Sequence, residues 1–193
     1  MAETATQQLE AVNEAVQNKA GKYLTFALGS EEYGLEILKV REIIGYVEVT
    51  RIPQTPAYVQ GVINLRGQVI PVVDLRAKFG MESVERTEAT CIIVVEISRA
   101  DDAISTGVVV DRVQEVLDIA GEDIEDTPSF GSSVDTDFIL GMGKIGDSVK
   151  ILLDIDKVLG EADLSGFASS FDSEAVAEAT DIKEVTPKAA DAK

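Results

Sequence analysis

A twenty-residue segment that occurs twice is the feature that most constrains how this chain can fold. The first copy runs from Gly61 to Gly80 and the second from Gly141 to Gly160, at a constant offset of 80 residues. The matching pairs are Gly61 and Gly141, Val72 and Leu152, Val73 and Leu153, Asp74 and Asp154, Leu75 and Ile155, and Phe79 and Leu159. The repetition predicts an internal duplication, and therefore two similar lobes.

Each copy is typical of a strand, a tight turn, a second strand and a short helix. In the first copy, apolar segments flank Asn64, Arg66 and Gly67, which predicts a hairpin with Arg66 at its tip. Asp74 stands where the N-cap of a helix would stand. Pro71 has no N–H to donate, so it predicts that the returning strand lies at a sheet edge or carries a bulge.

A second match precedes the first at an offset of 73 residues. It aligns Gly34 with Gly107, Leu35 with Val108, Val40 with Val113, Glu42 with Glu115, and Ile43 with Val116. One longer loop in the second copy explains why the offset then grows to 80. Nearly all elements are short, apolar and β-branched, which predicts a mainly β fold of two five-stranded barrels. Approximate internal symmetry should leave a groove where the lobes meet.

Changes in residue composition divide the chain into three parts. Residues 1–21 predict a frayed helical or disordered arm, because few apolar positions recur there. Residues 22–160 predict the folded domain, with lobe one at about 22–80 and lobe two at about 81–160. Residues 161–193 are Ala-rich and acidic, which predicts one short helix followed by a disordered tail.

Charge excludes several classes of partner. The net charge of −18 argues against a nucleic-acid groove or an anionic membrane surface, since both need basic patches. No apolar run reaches the roughly twenty residues of a membrane helix, and the start of the chain lacks a signal-peptide pattern. Cys91 is the only cysteine, so no internal disulfide can form and a reducing cytoplasm is the expected location.

The sequence lacks several of the residue types that common catalytic mechanisms use. The chain has no histidine, so neither a Ser/His/Asp nor a Cys/His arrangement can be assembled. An acidic cleft formed by Asp101, Asp102 and the cluster Glu122–Asp126 is the enzyme alternative. That cluster lacks the central glycine and closing glutamate of a calcium loop. We therefore predict no cofactor, no metal and no enzymatic activity.

The remaining candidates are surface side chains. Arg66 is either an anchor for a partner or a solvated hairpin tip. Val40 and Glu42, read as sharing one strand face, mark a contact rim or ordinary edge packing, and Val116 has the same two interpretations. Phe130 lies in a polar loop, where an aromatic residue either folds back onto the core or binds a partner.

The chain resembles a known family, the CheW chemotaxis coupling proteins, over about Lys22 to Gly160. The most specific motif is Gly61-Val62-Ile63-Asn64-Leu65-Arg66-Gly67, followed by Ile70-Pro71-Val72-Val73-Asp74-Leu75-Arg76. Further support comes from Glu32-Tyr33-Gly34, from Ile37-Leu38-Lys39-Val40-Arg41-Glu42-Ile43 and from Thr50-Arg51-Ile52-Pro53.

The resemblance implies two SH3-like β-barrels around a groove and a non-catalytic role. Such a protein would link methyl-accepting chemoreceptors to the histidine kinase CheA, be monomeric when free, and be recruited from the cytoplasm to membrane-anchored receptor arrays. Positions that match the receptor-contacting surface of the family are Val40, Glu42, Gly61, Arg66 and Val116, and Phe130 is the candidate for the kinase side. The alternative within this class is a detached CheW-like regulatory module that binds kinase only.

Overall fold

The structure, a computed structural model, describes residues 19–98, 103–128 and 136–160. The predicted arm and tail therefore lie outside the described residues, apart from the last three residues of the arm. The described residues form strands and two single-turn helices. The strands are β1 Gly21–Leu28, β2 Glu31–Glu36, β3 Val40–Gly45, β4 Val59–Leu65, β5 Gln68–Asp74, β6 Cys91–Ser98, β7 Ala103–Val110, β8 Arg112–Ile119, β9 Ile124–Glu125, β10 Ile139–Ile145 and β11 Ser148–Leu153. The helices are α1 Leu75–Lys78 and α2 Ile155–Val158, and 3₁₀ turns cover Ile37–Lys39 and Gly121–Asp123.

The strands form two sheets of similar construction. Sheet 1 has the order β8-β1-β2-β11-β10-β9, and sheet 2 has the order β3-β6-β7-β5-β4. The mainly β prediction with two similar strand sets is confirmed, and sheet 1 carries β9 as a short sixth strand.

The two sheets do not coincide with the two halves of the sequence. Sheet 1 combines β1 and β2 with β8 to β11, whereas sheet 2 combines β3 to β5 with β6 and β7. Each repeat therefore contributes strands to both sheets. The expected division into lobes at 22–80 and 81–160 is wrong as a boundary between sheets, because local sequence similarity cannot reveal an exchange of strands between repeats.

Strand register confirms the duplication. In sheet 2, β5 pairs with β7 in parallel, with Val72 opposite Gly107. In sheet 1, β11 pairs with β2 in parallel, with Leu152 opposite Gly34. These two pairs are related by the offsets of 80 and 73 read from the sequence. The hairpins β4–β5 and β10–β11 also have the same register, with an irregularity next to Gly61 and next to Gly141.

Pro71 does not mark a sheet edge. Its strand, β5, lies between β4 and β7, so the expectation of an available edge there is wrong. The parallel pairing with β7 covers only Val72 to Asp74 and begins immediately after the proline. The missing N–H therefore falls outside the ladder to β7, and the strand tolerates Pro71 in the sheet interior.

Each sheet has its own buried cluster. The cluster of sheet 2 consists of Ile63, Ile70, Val72, Ile92, Val94 and Val109, and that of sheet 1 of Tyr23, Ile119, Ile124 and Leu152. Burial also raises the pKa of Tyr23 to about 12, with a smaller contribution from the charge of Glu36. Its hydroxyl donates to the carbonyl oxygen of Lys19 at 2.6 Å, so a buried polar group is satisfied.

Short capped helices follow both hairpins, as predicted. The Asp74 carboxylate accepts a hydrogen bond from the Ala77 backbone N–H at 3.2 Å, and the Asp154 carboxylate accepts one from Lys157 at 3.3 Å. Helix α2 also joins the sheets, because Asp156 accepts from the Ser98 backbone N–H and forms an ion pair with Lys39 at 2.6 Å. Neither described helix has the length and apolar character needed to cross a membrane.

Candidate functional site

The hairpin between β4 and β5 presents Arg66 at its tip, as predicted. Leu65 lies opposite Gln68, so Arg66 and Gly67 alone make the turn. Both have positive φ, 52° and 87°, which is the pattern of a two-residue type I′ hairpin turn. The side-chain oxygen of Asn64 accepts a hydrogen bond from the Gly67 backbone N–H at 2.8 Å and so fixes the turn. A left-handed conformation is costly for arginine, at about 1 kcal/mol.

Arg66 and Glu42 form an ion pair between this turn and strand β3. The guanidinium Nη2 lies 2.8 Å from Glu42 Oε2, with 79% of the arginine side chain and 24% of the glutamate side chain exposed. An exposed pair of this kind contributes about 0 to 1 kcal/mol to stability. Its main consequence is positional, because Glu42 holds one side of the guanidinium while the bond uses one of its five N–H donors.

Strand β3 forms an edge of sheet 2. It pairs with β6, with Val40 opposite Val95 and Glu42 opposite Val94, and the register shifts between these two pairs. Despite this shift, burial still alternates along β3, with Val40, Glu42 and Ile44 half-buried and Arg41, Ile43 and Gly45 exposed. Val40 is half-buried, whereas Ile43 is 44% exposed. Sequence reasoning missed Ile43 as a surface residue because a large apolar side chain is normally expected in the core.

Gly61 is buried in β4 and has φ +136°. A Cβ at this position would lie 2.0 Å from the carbonyl oxygen of Thr50. Thr50 and Val62 exchange two backbone hydrogen bonds of 2.9 Å directly above it. Gly61 therefore allows the backbone of residues 50–51 to pack against β4. Because glycine has no side chain, Gly61 can affect a partner only through the position of the backbone.

Val116 lies in β8, which is an edge of sheet 1, and it is 47% exposed. The structure thus brings Arg66 and Glu42 into contact and places Val40 on the same edge strand as Glu42. Gly61 lies within strand β4 of the same hairpin, while Val116 belongs to the other sheet. Phe130 lies outside the described residues, so its predicted role stays a prediction.

An aromatic cleft is a feature that sequence reasoning did not identify. The rings of Tyr33 and Phe79 stack at 5.8 Å, and those of Phe79 and Phe138 at 5.6 Å. Together with Ile139 and Ile151 they line a cleft of about 390 Å³. Burial raises the pKa of Tyr33, with a smaller contribution from Glu31. Phe79 is an aromatic residue where the second copy has Leu159. This difference between the repeats is the sequence signal that could have indicated the cleft.

Two of the four acidic residues in the cluster proposed for the enzyme alternative are paired with lysines. Glu125 binds Lys144 at 2.8 Å, and Asp126 binds Lys19 at 2.7 Å. Across 19–98, 103–128 and 136–160, no group of three or more Asp, Glu, Cys or His side chains is arranged to hold a metal ion. Asp101 and Asp102 lie outside those ranges. Cys91 is buried, and this burial raises its pKa, so the thiolate is disfavoured.

Comparisons with known proteins agree with the fold. A family model described as a CheW-like domain matches residues 22–163. The chemotaxis protein CheW of Klebsiella aerogenes is 42% identical over 144 residues, which make up 75% of this chain and 84% of that protein. The chemotaxis protein CheW of Treponema pallidum is 32% identical over 161 residues, or 80% of this chain and 91% of that protein.

A solved structure has the same architecture. The crystal structure of the scaffolding protein TtCheW from Thermoanaerobacter tengcongensis matches with a TM-score of 0.65 and 35% sequence identity, covering 75% of this chain and 95% of that one. The prediction that the chain is not an enzyme agrees with the description of this relative as a scaffolding protein.

Proposed function

Because the chain belongs to the CheW-like domain family, we propose that it is a non-catalytic adaptor that couples methyl-accepting chemoreceptors to the histidine kinase CheA. It acts in the cytoplasm and joins membrane-anchored receptor arrays through protein contacts alone. It needs no cofactor, because its task is to hold two proteins together.

One observation carries the receptor side of this proposal. Arg66 keeps a left-handed backbone conformation and an exposed side chain, and Glu42 orients its guanidinium. Non-glycine residues with positive φ concentrate at functional sites, because the strain needs a compensating reason. Arginine is also enriched among residues that dominate binding energies, since its planar fork of donors recognises carboxylates and carbonyls well.

Apolar residues of the two edge strands complete the proposed receptor surface. Val40 and Val116 supply the apolar area that a receptor helix would cover, while Arg66 and Glu42 fix the register of that helix by charge-assisted hydrogen bonds. Gly61 supports this surface from below by letting the 50–51 backbone pack against β4.

Replacing Arg66 tests the proposal. We expect Arg66→Ala to weaken binding of a receptor cytoplasmic tip by about 1 to 3 kcal/mol, or roughly 5- to 150-fold in Kd. Isothermal titration of the full chain with a receptor-tip fragment measures this change. The melting temperature should stay near that of the wild type, because the Arg66 side chain is mostly exposed.

Lys144→Ala is the matched control. Lys144 also pairs with a glutamate at 2.8 Å, but it lies on the second hairpin, in β10. It should leave the receptor affinity unchanged. An Arg66→Ala protein that binds the tip as tightly as the Lys144→Ala protein would remove Arg66 from the receptor surface.

Phe130 is our proposed contact for the kinase. An aromatic residue within an otherwise polar loop offers a large apolar contact at a small entropic cost. Phe130→Ala should weaken co-sedimentation with CheA and leave receptor-tip binding intact. A chain that binds kinase but no receptor would instead be the detached regulatory module.

A further inference from the structure

Among the described strands, the chain passes from one sheet to the other at two places. Strands β3 to β7 all belong to sheet 2, whereas β1, β2 and β8 to β11 belong to sheet 1. The first crossing is the 3₁₀ turn Ile37–Lys39, between β2 and β3, and the second is the single residue Asp111, between β7 and β8. Sheet 2 is therefore an insertion in sheet 1, joined to it by two short connections, and each sheet has its own buried cluster.

A carboxylate links the two sheets at the second crossing. Asp111 Oδ2 accepts a hydrogen bond from the Gly29 backbone N–H at 2.7 Å and forms an ion pair with Arg76 Nη1 at 2.6 Å. Gly29 follows β1 of sheet 1, and Arg76 lies in α1, which follows β5 of sheet 2. The side chains of Arg76 and Asp111 are 14% and 26% exposed. We call Gly29, Arg76 and Asp111 the α1 clamp.

A second carboxylate links the sheets at the first crossing. Asp156 lies in α2, the helix that follows β11 of sheet 1. It accepts a hydrogen bond from the Ser98 backbone N–H at 2.8 Å and forms an ion pair with Lys39 at 2.6 Å. Ser98 ends β6 of sheet 2, and Lys39 also donates to its hydroxyl at 2.9 Å. We call Lys39, Ser98 and Asp156 the α2 clamp.

The two clamps are repeat equivalents with the charges exchanged. The offset of 80 residues maps Arg76 of α1 onto Asp156 of α2. In the α1 clamp the helix supplies the cation and the crossing supplies the carboxylate, whereas the α2 clamp has the reverse order. In both, the carboxylate also accepts a backbone N–H at the end of the first strand of a repeat, β1 or β6. The duplication has kept the linkage between the sheets although the residues that make it have changed.

Apolar packing next to the helices is tighter at the α2 clamp. Leu159, directly after α2, is fully buried. Its repeat equivalent Phe79 stacks on Tyr33 and Phe138 but borders the aromatic cleft of about 390 Å³. Side chains that line an unfilled cleft lack contacts on one side, so they resist a displacement less. The α1 clamp therefore provides more of the restraint between the sheets on its side.

We propose that the two sheets are bodies joined by hinges at Ile37–Lys39 and Asp111, and that the two clamps lock the angle between them. Short connections at the ends of elements are where hinge motions take place. Each clamp carboxylate bonds to both bodies, so its loss releases one hinge and leaves the strand ladders and the buried clusters intact. With both clamps closed, a displacement of one sheet moves the other with it. The inference concerns the free chain and does not depend on the proposed partners.

Distances between spin labels on the two sheets test this proposal in the full-length chain. Gln68→Cys in β5 and Ser148→Cys in β11 place one label on each sheet, at exposed positions that are repeat equivalents. A second pair, Gln68→Cys with Arg41→Cys, lies within sheet 2 and reports whether that sheet stays intact. Cys91 is buried and should stay unlabelled, which mass spectrometry verifies. Pulsed electron–electron double resonance then gives the distribution of distances for each pair.

Loss of a clamp should change the distribution between sheets alone. Asp111→Ala should broaden this distribution or shift its mean, and Asp156→Ala should have the smaller effect. The double variant should exceed both. The pair within sheet 2 should keep its wild-type distribution in all three variants, and melting curves verify that each is folded.

Glu32→Ala is the matched control. Glu32 and Lys150 form an ion pair within sheet 1, and their side chains are 26% and 10% exposed, close to those of Asp111 and Arg76. This variant should keep the wild-type distribution between sheets, because the lost pair links two strands of the same sheet.

The outcomes decide for or against the hinges. A distribution between sheets that broadens or shifts in the clamp variants, with an unchanged pair within sheet 2 and an unchanged Glu32→Ala control, supports the proposal. A wild-type distribution between sheets in the folded double variant overturns it. An equal change in Glu32→Ala, or a change within sheet 2, also overturns it, since either shows a general loosening of the fold.

Discussion

The hairpins β4–β5 and β10–β11 share a strand register and differ at their tips. Both pair in the same register, both are irregular next to a buried glycine, and both lead into a helix capped by aspartate. The tips are Arg66–Gly67 in one and Gly146–Asp147 in the other. The buried glycines and the helix-capping aspartates have been kept through the duplication, whereas the exposed tip residues have diverged. The difference separates positions that determine the fold from positions that face partners.

A second contrast lies in the strands themselves. Lys150 of β11 is buried and binds Glu32, which also accepts a hydrogen bond from Gln114. The equivalent of Lys150 in β5 is Ile70, a member of the apolar cluster of sheet 2. Equivalent strands therefore carry a polar network on one side and apolar packing on the other.

The largest expected effect concerns Gly61 and its repeat equivalent Gly141. Gly61→Ala should lower the free energy of unfolding by about 3 kcal/mol or more, because the added Cβ meets the Thr50 carbonyl and φ is positive. Gly141→Ala should cost less, about 1 to 2 kcal/mol, since the nearest atoms are 2.8 Å away and one belongs to the side chain of Ile124. Urea unfolding of both variants measures the difference.

Equal losses of unfolding free energy in Gly61→Ala and Gly141→Ala would contradict the difference expected between the two hairpins. A Gly61→Ala protein with wild-type stability but no receptor binding would contradict the structural role assigned to Gly61 and make it a direct contact residue.

The helix caps should behave alike. Asp74→Ala and Asp154→Ala each remove one side-chain acceptor from a helix N-terminus, so each should cost about 1 kcal/mol. The measurement is thermal unfolding monitored by circular dichroism, with Asp147→Ala at the second hairpin tip as the control. A loss of several kcal/mol at one aspartate alone would show that the two caps are not equivalent.

The smallest expected effect is a change in how steeply the free energy of unfolding depends on pH in the acid range. Hydrogen bonds from Lys150 and then from Gln114 lower the pKa of Glu32 below its usual 4.5. A carboxyl with a depressed folded-state pKa stabilises the fold above its unfolded pKa, and this contribution is lost as the pH falls through the folded value. Glu32→Gln should therefore make stability depend less steeply on pH below about 4.5.

Urea titrations at several pH values between neutrality and the acid range follow this slope. The wild-type chain, measured in the same buffers, gives the reference slope. An unchanged slope in Glu32→Gln would mean that the network around Lys150 does not act through Glu32.

Local signals explain which parts of the fold could be predicted. The hairpin turn, the aspartate caps and the duplication depend on residues close in sequence, and all three are confirmed. The exchange of strands between repeats could not be read, because the parallel pairs of β5 with β7 and of β11 with β2 join segments far apart in the chain. The edge predicted from Pro71 was wrong for the same reason. Whether a strand accepts proline in the sheet interior depends on where its pairing with a distant strand, here β7, begins.

The candidate site was predicted in part. The Arg66–Glu42 contact agrees with the prediction that both belong to one surface. Ile43 was missed because a large apolar side chain is normally expected in the core. The aromatic cleft was missed because Tyr33, Phe79 and Phe138 are far apart in the sequence.

Reconstitution tests the central claim most directly. Receptors in membranes, CheA and this chain are combined, and kinase activity is measured with and without receptor ligand. The account predicts that kinase co-sediments with receptors and responds to ligand only when this chain is present, and that Arg66→Ala impairs the response. A kinase that responds equally well without the chain would contradict the account.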